Sequence, residues 1–291
     1  MNVKNLTKLV DEALAIEVLQ AKEAGMLGYM ARVLVQATMP HKKLDGDIFK
    51  RKNGAFSLAM VAHPEVGLPY GTYPRVLLAW ITTEAVRTKN HVLVLGPTLS
   101  GFMDSLGLIP TGGRWGTIQP LRDRMKRLLT CSISCVYEDD SQGISAGFRM
   151  SIAKSYLLWW DPQRPEQAAL WNSTVTLSKD FYDELIDRPV PVDMRAFQTL
   201  KRSPMALDIY CWLTYRMSYL KQKTEIPWAA LQAQFGAGYP ETQRGLINFK
   251  FNFLKHLRAV LVVYPEAKVS EGDTGLLLKP SKAHIPLISS L

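Results

Sequence analysis

Apolar positions recur every three or four residues over much of the chain and give way to short continuous apolar runs between turn formers, so helices and strands alternate. Leu9, Val10, Ala13, Leu14, Leu27 and Met30 keep helical spacing and predict a helical arm over residues 1–38, which Pro40 ends. Its acidic Asp11, Glu12, Glu17 and Glu23 leave the arm near neutral, and its apolar stripe predicts packing either on the core or on a partner protein. His41-Lys42-Lys43 and the run KRKNG at 50–54 then form a basic connector or hairpin. A strand at 56–61 and a helix at 73–88 with Val76, Leu77, Trp80 and Ile81 on its apolar face follow. Next come a strand at 91–95 and a short helix capped by Ser100, running to Leu106 and stopped by Gly107.

Residues 112–130 read GGRWGTIQPLRDRMKRLLT. At 100° per residue Leu121, Met125, Leu128 and Leu129 share one helix face, whereas Gln119, Arg122, Asp123 and Lys126 line the other. Pro120 suits a first turn, where its missing N–H has no partner to lose, and the glycines ahead of it allow a tight turn or a close approach. Strand signals at 132–137, a polar turn at 138–143 and strand signals through 160 follow. Helix, strand, short helix, turn, basic helix and hairpin, in that order, is the order of a winged helix.

The order recurs. Beyond a strand at 175–177 and helices at 178–186 and 193–200, residues 205–216 parallel the Trp80 helix. Residues 226–228 parallel the short strand, 231–236 the short helix, 241–258 the basic helix and 260–264 the strand after it. The near-constant offset between Trp80 and Trp212, Gly107 and Gly236, and Tyr137 and Tyr264 predicts an internal duplication, with the turn at 271–275 as the tip of a second wing. The expected architecture is α+β: two tandem winged-helix domains, 46–165 and 166–291, behind an N-terminal helical arm at 1–45.

Charge narrows what such modules bind. The 291 residues carry 35 Lys and Arg against 26 Asp and Glu, a net charge of +9, which favours polyanionic partners. Three cysteines cannot build a disulfide framework, and Cys131 and Cys135 have no histidine nearby to complete a zinc set, so they read as buried thiols in a reducing compartment. Without an apolar leader or a long apolar run, a cytoplasmic protein with no membrane partner is expected.

In the second basic helix Arg244, Asn248, Asn252 and Lys255 fall on one stripe, while Leu246, Phe253, Leu254 and Leu257 point inward with Ile247 and Phe251 flanking. Arg and Asn pair bidentately with guanine and adenine edges in the major groove, and exposed Asn is otherwise a poor helix former. The candidate DNA-binding residues are Arg114, Thr117, Gln119, Arg122, Arg124, Lys126 and Arg127 in the first module and Gln243, Arg244, Asn248, Asn252 and Lys255 in the second. Asp123 either accepts from cytosine or pairs with Arg127, and Lys250 lies on the apolar side, from which it must snorkel. Glu138-Asp139-Asp140 at the first wing turn would be repelled by phosphate.

Catalytic signals are weak. The glycines of 96–101 have phosphate-loop spacing, but Phe102-Met103 stand where Lys and Ser or Thr are needed, and His41, His63, His91, His256 and His284 never pair at metal spacing. No catalytic, cofactor or metal site is expected.

Residues 69–89 (PYGTYPRVLLAWITTEAVRTK), Gly113-Arg114-Trp115-Gly116 with its basic helix, and residues 203–215 (SPMALDIYCWLTY) resemble the plasmid-encoded RepA replication initiators, over roughly residues 45–280. The resemblance implies a bacterial plasmid initiator that binds repeated origin sequences (iterons) in double-stranded DNA and opens adjacent AT-rich DNA. It also implies host initiator and helicase partners, and a homodimer that represses its own gene in equilibrium with a monomer that initiates. The duplicated basic helices predict that both enter successive major grooves, the second reading bases and the first adding affinity. A repressor or partition-type DNA-binding protein without initiation activity is the alternative, and an RNA-binding or scaffold winged helix is a third.

Overall fold

The computed structural model describes residues 26–169, 172–187 and 189–285, an α+β chain. In chain order the elements are β1 (Leu27–Met30), α1 (Arg32–Gln36), β2 (Ile48–Asn53), β3 (Phe56–Val61), α2 (Thr72–Thr88), β4 (Val92–Val94) and α3 (Leu99–Ser105). They continue through α4 (Ile118–Leu129), β5 (Ser132–Asp139), β6 (Ile144–Ser151), β7 (Ala153–Leu157), β8 (Thr174–Leu177), α5 (Lys179–Asp187), β9 (Val190–Asp193) and α6 (Met194–Leu200). The last are α7 (Pro204–Tyr219), β10 (Thr224–Pro227), α8 (Trp228–Phe235), α9 (Gln243–Val263), β11 (Val269–Glu271) and β12 (Gly275–Leu278). Among the described residues no helix is long and apolar enough to cross a membrane.

The chain divides into two compact units, one of residues 42–50 and 55–189, the other of residues up to 41, 51–54 and 190 onward. The boundaries therefore differ from the expected 46–165 and 166–291: β8 and α5 complete the first unit, and the segment before residue 42 belongs with the second. Of the expected helical arm, Arg32–Gln36 is a helix where it is described, but Leu27–Met30 is a strand. It pairs antiparallel with β9, whose four residues are all buried, and this long-range ladder outweighs the local helical spacing. The rest of the expected arm, residues 1–25, lies outside the described residues.

In the first unit β4, between α2 and α3, pairs with β8 in a sheet ordered β4-β8-β7. The hairpin β5-β6, expected to be the wing, instead joins a four-stranded sheet ordered β2-β3-β5-β6, with Phe56 opposite Tyr137 and Cys135 opposite Phe148. Alternation along β5 explains this: Ile133 and Cys135 are fully buried between β3 and β6. Trp160, in the connection after β7, stacks on Phe102 at 5.0 Å, and Phe102 meets the edge of Trp80 at 5.1 Å, tying α3 to α2. Thr98 rather than Ser100 caps α3, accepting from the Gly101 N–H, because Ser100 is buried and bonds Glu166 at 2.7 Å. Gly107 ends that helix with φ of 66°, as expected. Cys131 and Cys135 are buried free thiols, each pushed up to about 12 by burial.

In the second unit α7, β10, α8 and α9 lead into β11 and β12, and the sheet order is β10-β12-β11. Residues 260–263 are the end of α9 and Tyr264 its C-cap, so the strand expected at 260–264 as counterpart of 132–137 is absent. Val260 and Val263 recur at helical spacing on the buried face, which carries the helix through the β-branched run. His41 Nε2 contacts Asp208 Oδ2 at 2.7 Å, and Gln234 donates to the Gln36 carbonyl at 2.9 Å, so the described part of the arm packs on α7 and α8.

His284 closes this core. The Asp193 N–H donates to the Tyr210 hydroxyl oxygen at 2.9 Å, leaving that hydroxyl's own hydrogen to face His284 Nδ1 at 2.8 Å, and the ring stacks on Tyr264 at 4.7 Å. A neutral imidazole fits as acceptor, and burial lowers its proton affinity from the usual 6.5. The unfolded chain takes up that proton near pH 6.5 while the folded ring does not, so the contribution is intact above about pH 7.5 and lost as pH falls below about 6.5. The thermal midpoint should therefore drop between about pH 7.5 and pH 5.5 by more in the wild type than in His284→Gln, which keeps an acceptor without the titration. Equal drops in the two proteins, followed by circular dichroism, would contradict this placement of His284.

Candidate nucleic-acid interface

The basic helix α4 is held by a knotted turn in front of it. Thr117 Oγ1 donates to the Ile109 carbonyl at 2.6 Å, and the Thr117 N–H reaches both the carbonyl and the hydroxyl of Thr111. Thr117 thus spends its polar groups on the turn and not outward. Gly116 sits so close to the Thr111 carbonyl that a Cβ would collide with it, the steric reason for glycine ahead of this helix. Ile118, Leu121, Met125, Leu128 and Leu129 are buried, as the spacing predicts, with Gln119 and Lys126 exposed and Arg122 partly so. Arg114 and Trp115 stand out from the turn, the guanidinium 5.2 Å from a ring that is 88% exposed.

Arg124 and Arg127 do not stand out. Their side chains are only 18% and 17% exposed, and both bond the Asp123 carboxylate, Arg127 at 2.8 Å. The Arg124 guanidinium lies 3.7 Å from the Tyr70 ring centroid and also bonds the Tyr70 hydroxyl. The alternatives for Asp123 are thereby decided in favour of pairing along the helix, and these three residues form a local packing cluster in which one carboxylate is shared by two guanidinium groups. Tyr70 is the residue that sequence reasoning missed, because nothing in local spacing links it to a helix so far along the chain.

In the second unit Thr242 caps α9 by accepting from the Gly245 N–H at 3.1 Å. Gly245 presses against the Pro240 carbonyl so closely that a Cβ there would overlap it. The buried face carries Phe249, Phe253, Leu257, Val260 and Val263, with Phe253 against Phe235 at 5.4 Å and Phe249 at 5.5 Å. The opposite face exposes Gln243, Arg244, Asn248, Lys255 and Arg258. Asn252 turns back, its amide donating to the Asn248 carbonyl at 3.2 Å, with Tyr239 beside it. Lys250 leaves the apolar side by reaching Glu271 at 2.7 Å across the Trp228 ring. Ile247 and Phe251, expected to flank the core, are instead 60% and 70% exposed. Spacing carried the signal: positions 244, 247, 248, 251, 255 and 258 fall within one third of the helical wheel.

No acidic residue occurs between Gln243 and Val263, so the charged groups of this exposed stripe are all positive, on a fixed helix. Such a face, with amide and guanidinium groups projecting, is the chemistry of a nucleic-acid contact. Residues 68–229 match the family of plasmid-encoded RepA proteins, and the chain belongs to that family. No curated protein matches. Two solved structures of domains 2 and 3 of RctB are similar. One is matched with a TM-score of 0.53 at 9% identity, covering 87% of this chain and 98% of that one. The other, spanning RctB 155–483, gives a TM-score of 0.49 at 11% identity, over 85% of this chain and 96% of that one.

The Tyr70 cluster predicts that Arg124→Ala costs about 1 kcal/mol or more of stability, lowering the melting midpoint of its unit by a few degrees, whereas Lys126→Ala stays within about 0.5 kcal/mol. Calorimetry on both variants decides it, and equal midpoints would mean that Arg124 is not held by Tyr70. Gly245→Ala should cost about 1 to 3 kcal/mol, since the added methyl must displace the Pro240 backbone. An unchanged midpoint in that variant would show that the contact is absent.

Proposed function

We propose that the chain is a sequence-specific double-stranded DNA-binding protein that initiates plasmid replication by binding repeated origin sequences, without enzymatic activity of its own. Membership of the plasmid-encoded RepA family supports the initiator role. The observation that carries the DNA reading is α9, whose exposed Arg244, Asn248 and Lys255 stand on a helix with no carboxylate. The sheet order β10-β12-β11, in which the strand between the first two helices pairs with the last strand, favours reading this module as a winged helix with α9 in the major groove. In the first unit the same relation holds for β4-β8-β7, so β7 and β8 take the wing's place there and the hairpin β5-β6 is an insertion. Origin opening, repression of its own gene, a monomer–dimer equilibrium, contacts with host initiator and helicase proteins, and a cytoplasmic location belong to the same proposal.

Base reading is assigned to Arg244 and Asn248, while Gln119, Arg122 and Lys126 on α4, with Arg114 ahead of it, supply backbone affinity. Arg244→Ala with Asn248→Ala should lose about 1 to 3 kcal/mol of discrimination per contact between an origin repeat and a scrambled duplex. Lys126→Ala should weaken both duplexes alike and reduce the salt slope by about one. Fluorescence anisotropy across a salt series separates the two effects, and undiminished discrimination in the double variant would remove α9 as the reading helix. Strand opening on supercoiled origin DNA tests initiation itself, and binding without opening would leave a repressor.

A further inference from the structure

Ile247 and Phe251 are one turn apart in the middle of the exposed stripe of α9, at 60% and 70% exposure, the most exposed large apolar side chains on any helix among the described residues. Two such side chains adjacent on one helix face form a contiguous apolar patch, the kind of surface that marks an interaction site. Resting on the reading of α9 as a major-groove helix, we infer that Ile247 and Phe251 are specificity residues that contact thymine methyl groups, so that each repeat carries thymines at fixed positions opposite them.

The chemistry on this face selects that occupant. The thymine C5-methyl is the apolar group that B-DNA presents on the floor of the major groove, and side chains such as Phe meet it. Arg244 lies one turn before Ile247 and Asn248 one turn before Phe251, and Lys255 and Arg258 continue the stripe toward the C-terminus. The apolar pair is therefore rimmed at both ends by cations, an arrangement that places phosphates around it and base edges against it. The cations that frame the pair, on a helix without a single carboxylate, favour a polyanionic partner over a protein surface. Phe251 lies eight residues from the start of α9, about 12 Å along its axis, within the part of such a helix that enters the groove. Phe249 and Phe253 lock the helix from behind, so the pair cannot turn inward to join the core.

In the test, the full chain selects duplexes from a randomised library, and the recovered sequence is then synthesised with deoxyuridine replacing thymine one position at a time. The wild type should recover a motif containing fixed thymines, and loss of the methyl at one or two of them should weaken binding about four-fold each, the effect of one buried methyl group. Ile247→Gln with Phe251→Gln should bind the thymine and deoxyuridine duplexes equally, with no lower melting midpoint, because neither side chain is buried. A motif whose binding is indifferent to every methyl overturns the inference while leaving base reading by α9 in place. Retained methyl discrimination in the double Gln variant, or a variant that instead loses self-association with the methyl effect unchanged, also overturns it. Failure of the wild type to recover any motif would sink the base-reading assignment and this inference together.

Discussion

Everything proposed for the second unit depends on the aromatic backing of α9. Phe249 and Phe253 sit one turn apart on its inner face, fully buried, and Phe253 meets Phe235 and the Trp228 ring at 5.4 and 6.2 Å. Trp212 on α7 continues the row against Phe235 at 5.6 Å, and Tyr239 closes its other end on Phe249 at 5.6 Å. Edge-to-face pairs of this kind add about 0.5 to 1.5 kcal/mol each beyond the area they bury, and, more to the point, they fix the rotation of the helix about its axis. A helix that cannot rotate offers one invariant face outward. That face is where Arg244, Ile247, Asn248, Phe251, Lys255 and Arg258 gather.

The two basic helices solve different problems with similar residues. On α4 the arginines at 124 and 127 are drawn onto Asp123 and Tyr70, so much of the charge serves packing, and what projects is Gln119, Lys126, part of Arg122 and the Arg114-Trp115 pair ahead of it. On α9 the one lysine of the inner side is spent on Glu271, and the outward cations keep their full field. Both helices follow a threonine with a glycine pressed against a carbonyl nearby, but Thr117 ties down the turn ahead of α4, whereas Thr242 caps α9 through the Gly245 N–H. The differing rear partners decide how much charge each helix presents.

Local periodicity made most elements legible: the spacing of Leu121, Met125 and Leu128, and the turn formers around Gly107 and Gly236, mark α3, α4 and α8 in the bare sequence. What stayed hidden was set by pairing between distant segments. Leu27–Met30 keeps helical spacing yet is a strand because Val190–Asp193 lies beside it, and β5-β6 left the expected wing position because β3 offers a matching buried register. At the site, the positions of Arg244, Asn248 and Lys255 were readable from the wheel. The inward turn of Arg124 required Tyr70, and the exposure of Phe251, expected at the flank of the core, was hidden because its hydrophobicity alone points inward.

The proposed recognition of repeated sequence in duplex DNA underlies every role assigned to the two basic helices. The most direct measurement is a nuclease footprint of the full chain on the plasmid DNA flanking its own gene, read at increasing protein concentration. The account predicts several protections of equal length at a constant spacing in phase with the helical repeat, each about the span that a helix in the major groove and its flanking backbone contacts cover. Uniform or absent protection, with no repeated unit at any concentration, would contradict it.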